Sequence, residues 1–501
     1  MKIALASPRT NRPGLGPSEA PPPLGILYVA SVLEGSGQKV RVFDGRVEGI
    51  TAEIRSFKPD VVGVTSTTPQ FALAKNLIKQ LKRELPTAFY VCGGVHVTAL
   101  PEASLTELGI DCVVLGEGEY TMRELCEKLE SGRSLEDVKG IAYLDQNEGK
   151  VTVNERRPLI EDLDDLPFPA WHLLDLEKYL VPPGPIRGLW LERCIHMICS
   201  RGCPYRCIFC GSNLIFGRRV RHRSVDNAID EISLLIDEYC IDGVWFMDDT
   251  FTVDSRWVVE FSRALRRNRM NIKWGCQARV NTVSEPMLRE MKQSGCSQLD
   301  FGVESGSAKV LKILTKDTDS MMVKDAFRLT RKLGLRALAT FMIGNPGENI
   351  EDIAMTFKLA KEIAPDYVNF YYATPYPGTT LYDMAIKNGW IANMDYSDFL
   401  VRYEPVMNIN FEKEALMKIR SRLQNAFLLR NFGAYLKNPI YISKILLLLL
   451  KYPKGIVEGF SALRKQGTLD DLAHAFLRYY WENRAKRLTG RSRIVEADAV
   501  E

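Results

Sequence analysis

Apolar runs of strand length punctuate the first third of the chain and alternate with longer helical stretches. "MKIALASP", "KVRVFDG", "DVVGVTS", "AFYVCGG" and "DCVVLGEG" are apolar on both faces, while "LGILYVASVLEGSG" and "ITAEIRSFKP" read as helices. Strands apolar on both faces are covered on both, which predicts an α/β domain over residues 1–140 with a doubly wound parallel sheet of flavodoxin or Rossmann type. Its strand ends carry Thr65-Ser66-Thr67, Gly93-Gly94 and Gly116-Glu117-Gly118. That is the carboxyl edge, where such sheets bind ligands, although taken alone the glycines read first as turns.

The alternation fades over residues 141–190, where "EDLDDLPFPAW" and "VPPGPIRG" predict a strapped linker. It returns over 191–390. A helix with Val225, Ile229, Ile232 and Ile236 on one face follows a cysteine loop, and then "GVWFMD", "IKWGCQA", "QLDFGV", "LRALATFMIG" and "DYVNFYYA" each lead into a helical stretch. With the strand before the cysteines this makes six βα units, a partial (β/α)6 barrel two units short of the closed form. Residues 391–501 read as a helical domain. Within them "YISKILLLLLKYPKGIVEGFSALRK" sets a leucine cluster between lysines, shorter than the roughly 20 residues that span a bilayer. A helix packed on the barrel mouth is the first reading and peripheral contact with a membrane surface the second.

Composition adds exclusions. An apolar share of 46% over 501 residues supports a folded core, and 66 basic against 62 acidic residues leave a net charge of +4, no footprint for nucleic acid. The N-terminus lacks an h-region of signal-peptide length, which points to the cytoplasm. Eleven cysteines at irregular spacings then argue for reduced thiols and metal ligation rather than a disulfide framework.

Three of those cysteines carry the chemistry. "SRGCPYRCIFC" places Cys203, Cys207 and Cys210 within eight residues, immediately after the first barrel strand. Zinc prefers paired cysteines with a distant second pair, which is missing here. A [4Fe–4S] cluster normally takes four thiolates, so three leave one iron open to an outside ligand. Cys194 and Cys199 fall on the preceding strand and are expected to be buried thiols.

"CPYRCIFC", with Phe209 before its last cysteine, resembles the signature of the radical S-adenosylmethionine (SAM) superfamily, and other fragments follow in the family's order. The resemblance implies that the open iron chelates SAM, that Asp248 and Asp249 in "FMDDTF" hold the methionyl ammonium, and that Arg279 and "GVESG" (Glu304, Ser305) contact the methionyl carboxylate and ribose. It also places Gly344 in "FMIGNPGE" beside adenine. "PPLGILYVASVL", "VVGVTSTT", "VCGGVH" and "VVLGEGE" are similar to the cobalamin-binding domains that precede one class of these enzymes, the class B methylases. This second resemblance implies corrinoid contacts at Thr65, Ser66, Thr67, Gly93, Gly94, Gly116 and Glu117. The cobalt-ligating motif is absent: the loop "SPRTNRPGLGPSEAPPP" has no histidine, "DGRVEG" is a turn after the second strand, and His96 reads as a packed side chain. Any cobalamin is then held without a histidine on cobalt.

Together the resemblances imply an anaerobic, cobalamin-dependent radical SAM methyltransferase. A 5′-deoxyadenosyl radical would activate an unactivated carbon and the corrinoid would supply the methyl group, with a flavodoxin or ferredoxin as electron donor. Radical ring closure on a lipid or tetrapyrrole is the alternative within the same chemistry; a non-catalytic corrinoid or metal sensor is the alternative outside it. No motif identifies a catalytic side chain, and the substrate class (small molecule, lipid or protein side chain) stays open.

Overall fold

The computed structural model describes residues 1–8, 21–45, 50–145, 149–180, 182, 184–391, 393–436 and 438–451. Most of the "SPRTNRPGLGPSEAPPP" loop, the end of "DGRVEG" and the C-terminal half of the leucine-rich stretch lie outside them.

Seven strands form the first sheet, in the order β2-β1-β3-β4-β5-β6-β7. They are β1 (Lys2–Ser7), β2 (Lys39–Asp44), β3 (Val61–Thr65), β4 (Phe89–Gly93), β5 (Cys112–Val114), β6 (Ile141–Asp145) and β7 (Lys150–Val153). The first five are parallel, and helices lie between them in the chain, as the two-faced apolar pattern requires. Their order, 2-1-3-4-5, puts the topological switch between β1 and β3, and the crevice at its carboxyl edge is where such sheets take ligands. β6 and β7 add an antiparallel hairpin to β5, so residues 141–153, expected in the linker, extend this sheet. Their short alternating runs, "IAYLD" and "KVTV", carry too weak a pattern to stand out beside the prolines that follow.

A two-stranded ribbon, β9 (Ser200–Arg201) with β10 (Arg221–His222), lies beside a six-stranded sheet. That sheet comprises β8 (Cys194–Met197), β11 (Gly243–Phe246), β12 (Lys273–Ala278), β13 (Cys296–Glu304), β14 (Arg336–Ile343) and β15 (Tyr367–Tyr372), all parallel and in sequential order. It is the expected open (β/α)6 barrel. On the helix Val225–Tyr239, Ser224 caps the N-terminus by accepting from Asn227 N–H, and Val225, Ile229 and Ile232 are buried against the strands, with Ile236 partly so. One periodicity therefore fixed both the helix and its inner face.

An open barrel leaves β15 as an edge strand with unpaired backbone groups. The C-terminal helices Lys413–Ala426 and Leu428–Leu436 cover it with side-chain amides. Gln424 accepts from Phe370 N–H at 3.2 Å and donates to Val368 C=O at 3.1 Å, while Asn431 bonds both the N–H and the C=O of Val368 at 3.0 Å. On the last described helix, Pro439–Lys451, Ile440, Leu446, Leu447 and Leu450 are exposed, and among the described residues no helix is long and apolar enough to cross a membrane.

The two sheets meet at their functional ends. The helix Ser212–Phe216, directly after the cysteine loop, lies against the helix Val95–Ala99 of the first sheet; a Cβ on Gly378 would stand 2.7 Å from Leu214 and 3.0 Å from Ala99. Tyr396 crosses from the C-terminal segment to the first sheet, its ring 4.6 Å from that of His96 and 6.1 Å from that of Phe71.

Candidate functional site

The cysteine loop is held as a ribbon. Arg201 pairs with Arg221 and Ser200 with His222, so residues 202–220 leave and return at one point on the barrel mouth. Asp248, just beyond β11, fixes that point from below by accepting Cys199 N–H at 3.2 Å and the Ser200 hydroxyl at 2.5 Å. Burial pushes Asp248 up to about 6 against these hydrogen bonds. Asp249 accepts from the Ser212 hydroxyl and from Gly202 N–H, and burial raises it too. Both aspartates expected at the methionyl ammonium are thus engaged with the cysteine loop itself.

Cys203 and Cys207 are half-buried and Cys210 is exposed, whereas Cys194 and Cys199 are buried. Cys210 meets solvent along part of its surface, yet protein surrounds its thiol. Burial pushes it up to about 11, and Asp249, Cys207 and Cys203 add in the same direction. Three reachable thiols that repel one another's charge suit a cationic iron–sulfur body. Among the described residues no three His, Cys, Asp or Glu side chains form a single-ion site. A four-iron cluster makes a different demand, one thiolate per iron around a body rather than several on one ion. Cys203, Cys207 and Cys210 fit that demand and, as three thiols, would leave one iron for an outside ligand.

The other strand ends crowd the same mouth. Arg279, after β12, points its guanidinium at Cys207 Sγ (3.3 Å), lies 3.5 Å from the Tyr205 ring centre and also donates to the Lys316 carbonyl. Glu304 ends β13 at φ +67°, a left-handed conformation in which non-glycine residues collect at functional sites. Its Oε1 accepts from Lys316 Nζ at 2.8 Å, and both side chains are nearly buried. Arg279, beside Cys207, and the Glu304–Lys316 pair supply charges of both signs, which would suit the ends of a methionyl zwitterion. Phe209 packs in an apolar cluster with Val310, Leu314, Met342 and Leu381.

Two expected contacts face elsewhere. Ser305 is fully buried, with its hydroxyl 3.1 Å from Thr356 Oγ1 and accepting from Ser307 N–H at 3.1 Å, so it fastens the end of β13 to the helix Ile350–Ile363. Gly344 has φ +78°, and a Cβ there would stand 2.8 Å from Leu416 Cδ2. The close approach inferred for adenine is made by the C-terminal helix.

At the corrinoid edge the expected residues divide. Thr65 and Gly93 are half-buried, Thr67 is exposed, and a Cβ on Gly93 would meet only Val114, at 4.0 Å. They stand at the carboxyl ends of β3 and β4, the edge at which such sheets take ligands, and the space beside Gly93 would suit a group held by shape without a side-chain ligand. Ser66 and Gly94 serve the fold. Ser66 is buried, and Gly94 has φ +108° with a Cβ position 2.5 Å from Ser66 O, so only glycine passes there. His96 is buried between Phe71 and Tyr396, its Nδ1 is 3.3 Å from Thr68 Oγ1, and burial lowers it to about 4.

Gly116 and Glu117 turn towards the barrel instead. Gly116 N–H donates to Thr98 Oγ1 at 3.1 Å, and a Cβ on it would stand 4.0 Å from Ile215 O of the barrel. Glu117 is buried with Oε1 2.9 Å from Arg201 and Oε2 2.9 Å from Arg221. A carboxylate at a strand's carboxyl edge looked like a ligand contact; its arginine partners lie 84 and 104 residues down the chain, where no local pattern reports them. Sequence reasoning also passed over Arg201, Arg221, Glu119 and Lys316. The first three had a signal, since basic residues flank both ends of the cysteine loop and "GEGE" carries two acids. Lys316 had none.

Residues 19–126 match the B12 binding domain family and residues 197–360 the radical SAM superfamily. An uncharacterized methyltransferase of Pyrococcus horikoshii is 38% identical over 416 residues, 82% of this chain and 88% of that protein. Cytidylyl-2-hydroxyethylphosphonate methyltransferase of Streptomyces wedmorensis is 29% identical over 468 residues, 82% of this chain and 87% of that protein. Among solved structures, the cobalamin-dependent SAM radical enzyme OxsB, with aqua-cobalamin and SAM bound, superposes with a TM-score of 0.71 at 18% identity, over 99% of this chain and 80% of that one. Two cofactor units in this order, and thiols free at the mouth of an open barrel, make the chain a member of the radical SAM enzymes that carry an N-terminal cobalamin-binding domain.

Proposed function

We propose that the chain methylates an unactivated carbon of a small-molecule or lipid substrate, with electrons delivered by a small electron-transfer protein. The observation that carries this reading is the meeting of the two ligand edges: the helix after the cysteine loop rests on the helix after Gly94. When bound, the cluster with SAM supplies one-electron bond cleavage and the corrinoid a transferable methyl group. Cys203, Cys207 and Cys210 hold the first. Thr65, Thr67 and Gly93 receive the second, and Arg279, Glu304 and Lys316 orient the methionyl end of SAM. Asp248 and Asp249 keep the loop that bears the thiols in register with the barrel. Both relatives named above are called methyltransferases, which favours methyl transfer over ring closure.

The test is anaerobic feeding of methyl-deuterated methionine to a deletion strain complemented with the native chain or with Cys203→Ala. A lipid or small-molecule extract that gains a deuterated methyl group only with the native chain supports the reading. A product that instead loses two hydrogens, with no label retained, replaces it with cyclisation.

A further inference from the structure

Four charged side chains join the two cofactor units, and none is exposed. Glu117 lies in the loop after β5 and Glu119 opens the helix Glu119–Glu130; Arg201 and Arg221 form the base of the cysteine ribbon. Arg201 spans both acids, at 2.9 Å to Glu117 Oε1 and 2.6 Å to Glu119 Oε1, while Arg221 sits 2.9 Å from Glu117 Oε2. Each of these side chains is 5% exposed or less. Glu117 Oε2 also accepts Ile160 N–H at 2.8 Å, and the Arg201 guanidinium lies between the rings of Tyr28 (5.1 Å) and Phe216 (5.3 Å).

Buried ion pairs of this kind add little net stability, because desolvation cancels most of the attraction, but they are costly to break and they specify one arrangement over others. Hydrophobic contact alone would let the two units slide. A forked guanidinium bound to two separate carboxylates admits one register. The register matters here because Arg201 precedes Cys203 by two residues and Glu117 follows β5, the neighbour of the strand that ends at Gly93, so the clasp joins the two units that would carry the cofactors.

We propose that Glu117, Glu119, Arg201 and Arg221 are positioning residues that set the distance between the iron–sulfur cluster and the corrinoid, and thereby couple SAM cleavage to methyl transfer. The proposal rests on the methyltransferase reading above. Misplacing reacting groups by about 1 Å costs on the order of 100-fold. Cleavage of SAM needs only the barrel, so loss of the clasp separates the two activities.

The test uses the full chain reconstituted with cluster and cobalamin. Glu117→Gln keeps the shape and removes the charge. Methylated product should fall about 100-fold while SAM cleavage stays within about threefold, raising the deoxyadenosine-to-product ratio. Two readouts do not depend on turnover. The dipolar coupling between the reduced cluster and cob(II)alamin in the electron paramagnetic resonance spectrum should broaden, and hydrogen exchange should rise in the segments around 116–119 and 200–222 together. Arg201→Lys, which keeps the charge and loses the fork, should fall between native and Glu117→Gln on every measure. Should Glu117→Gln fail to fold, Arg201→Lys and Glu119→Gln decide the matter by the same readouts. Parallel loss of both activities with unchanged coupling and exchange, or native behaviour of all three variants, overturns the proposal. If the native chain itself makes no methylated product, the methyltransferase reading fails instead, and dipolar coupling and exchange still report on the clasp.

Discussion

The barrel mouth and the edge of the first sheet both serve a cofactor, yet they are built on opposite plans. At the mouth, side chains make the site: three thiols outside any disulfide stand on a ribbon that Asp248 and Asp249 fasten to the barrel. At the sheet edge, backbone makes the site. Ser66, Gly94 and Glu117 are all committed to protein partners, which leaves Thr65, Thr67 and Gly93 as the residues proposed to receive the corrinoid. A cofactor held by covalent ligation demands particular residue types at set spacings, whereas one held by shape demands only room.

The sharpest way to break the contrast is at the thiols. Cys203→Ala, Cys207→Ala and Cys210→Ala should each abolish the cluster and reductive SAM cleavage, while Cys199→Ala, a buried thiol, should retain about four irons per chain in iron and sulfide assays. Loss of iron in Cys199→Ala would show that the ribbon carries a different ligand set.

At the sheet edge the two neighbouring glycines should part company. Gly94→Ala forces a Cβ to within 2.5 Å of Ser66 O at φ +108° and should cost about 3 kcal/mol in denaturant unfolding. The Cβ of Gly93→Leu would meet only Val114, at 4.0 Å, and the variant should keep native stability while cobalamin content falls. Equal destabilisation by both would mean that Gly93, like Gly94, serves the fold alone.

A smaller effect follows from His96, which burial holds at about 4 against an unfolded value near 6.5. Between those values the unfolded chain binds more protons, so stability is complete above about pH 6.5 and declines as the pH falls towards 4. The first sheet should lose about 2 kcal/mol between pH 7.5 and pH 5, a slope that His96→Gln removes. The cobalt absorption spectrum should be the same in both proteins. Least of all, Gln424→Leu should cost about 1 kcal/mol by leaving Phe370 N–H without its partner, while Asn431 still bonds both backbone groups of Val368, with SAM cleavage intact.

The same contrast explains what could be read in advance. Both sheets, the six-unit barrel and the cysteine loop follow from two-faced apolar strands, one helical periodicity and a tight thiol spacing, all of them local. The hairpin at 141–153, the seat of Gly344 against Leu416 and the partners of Glu117 depend on segments far apart in the chain. For such contacts residue type says only that a partner is needed. Ser305 shows the limit plainly: a serine at a strand's carboxyl end suits a ribose as well as it suits Thr356, and only the fold chooses.

The amides of Gln424 and Asn431 along β15 reach further than the stability of one strand. A barrel closed by two more βα units would fix its lumen on every side, and any change in its contents would have to be absorbed by the strands themselves. Here the missing wall is a pair of helices fastened by the side chains of Gln424, Asn431 and Arg420, with residues 373–412 leading from strand to helix. A wall of this kind holds its strand through side chains that can be exchanged one at a time, so the lumen can be reshaped on that side while the six barrel strands keep their neighbours.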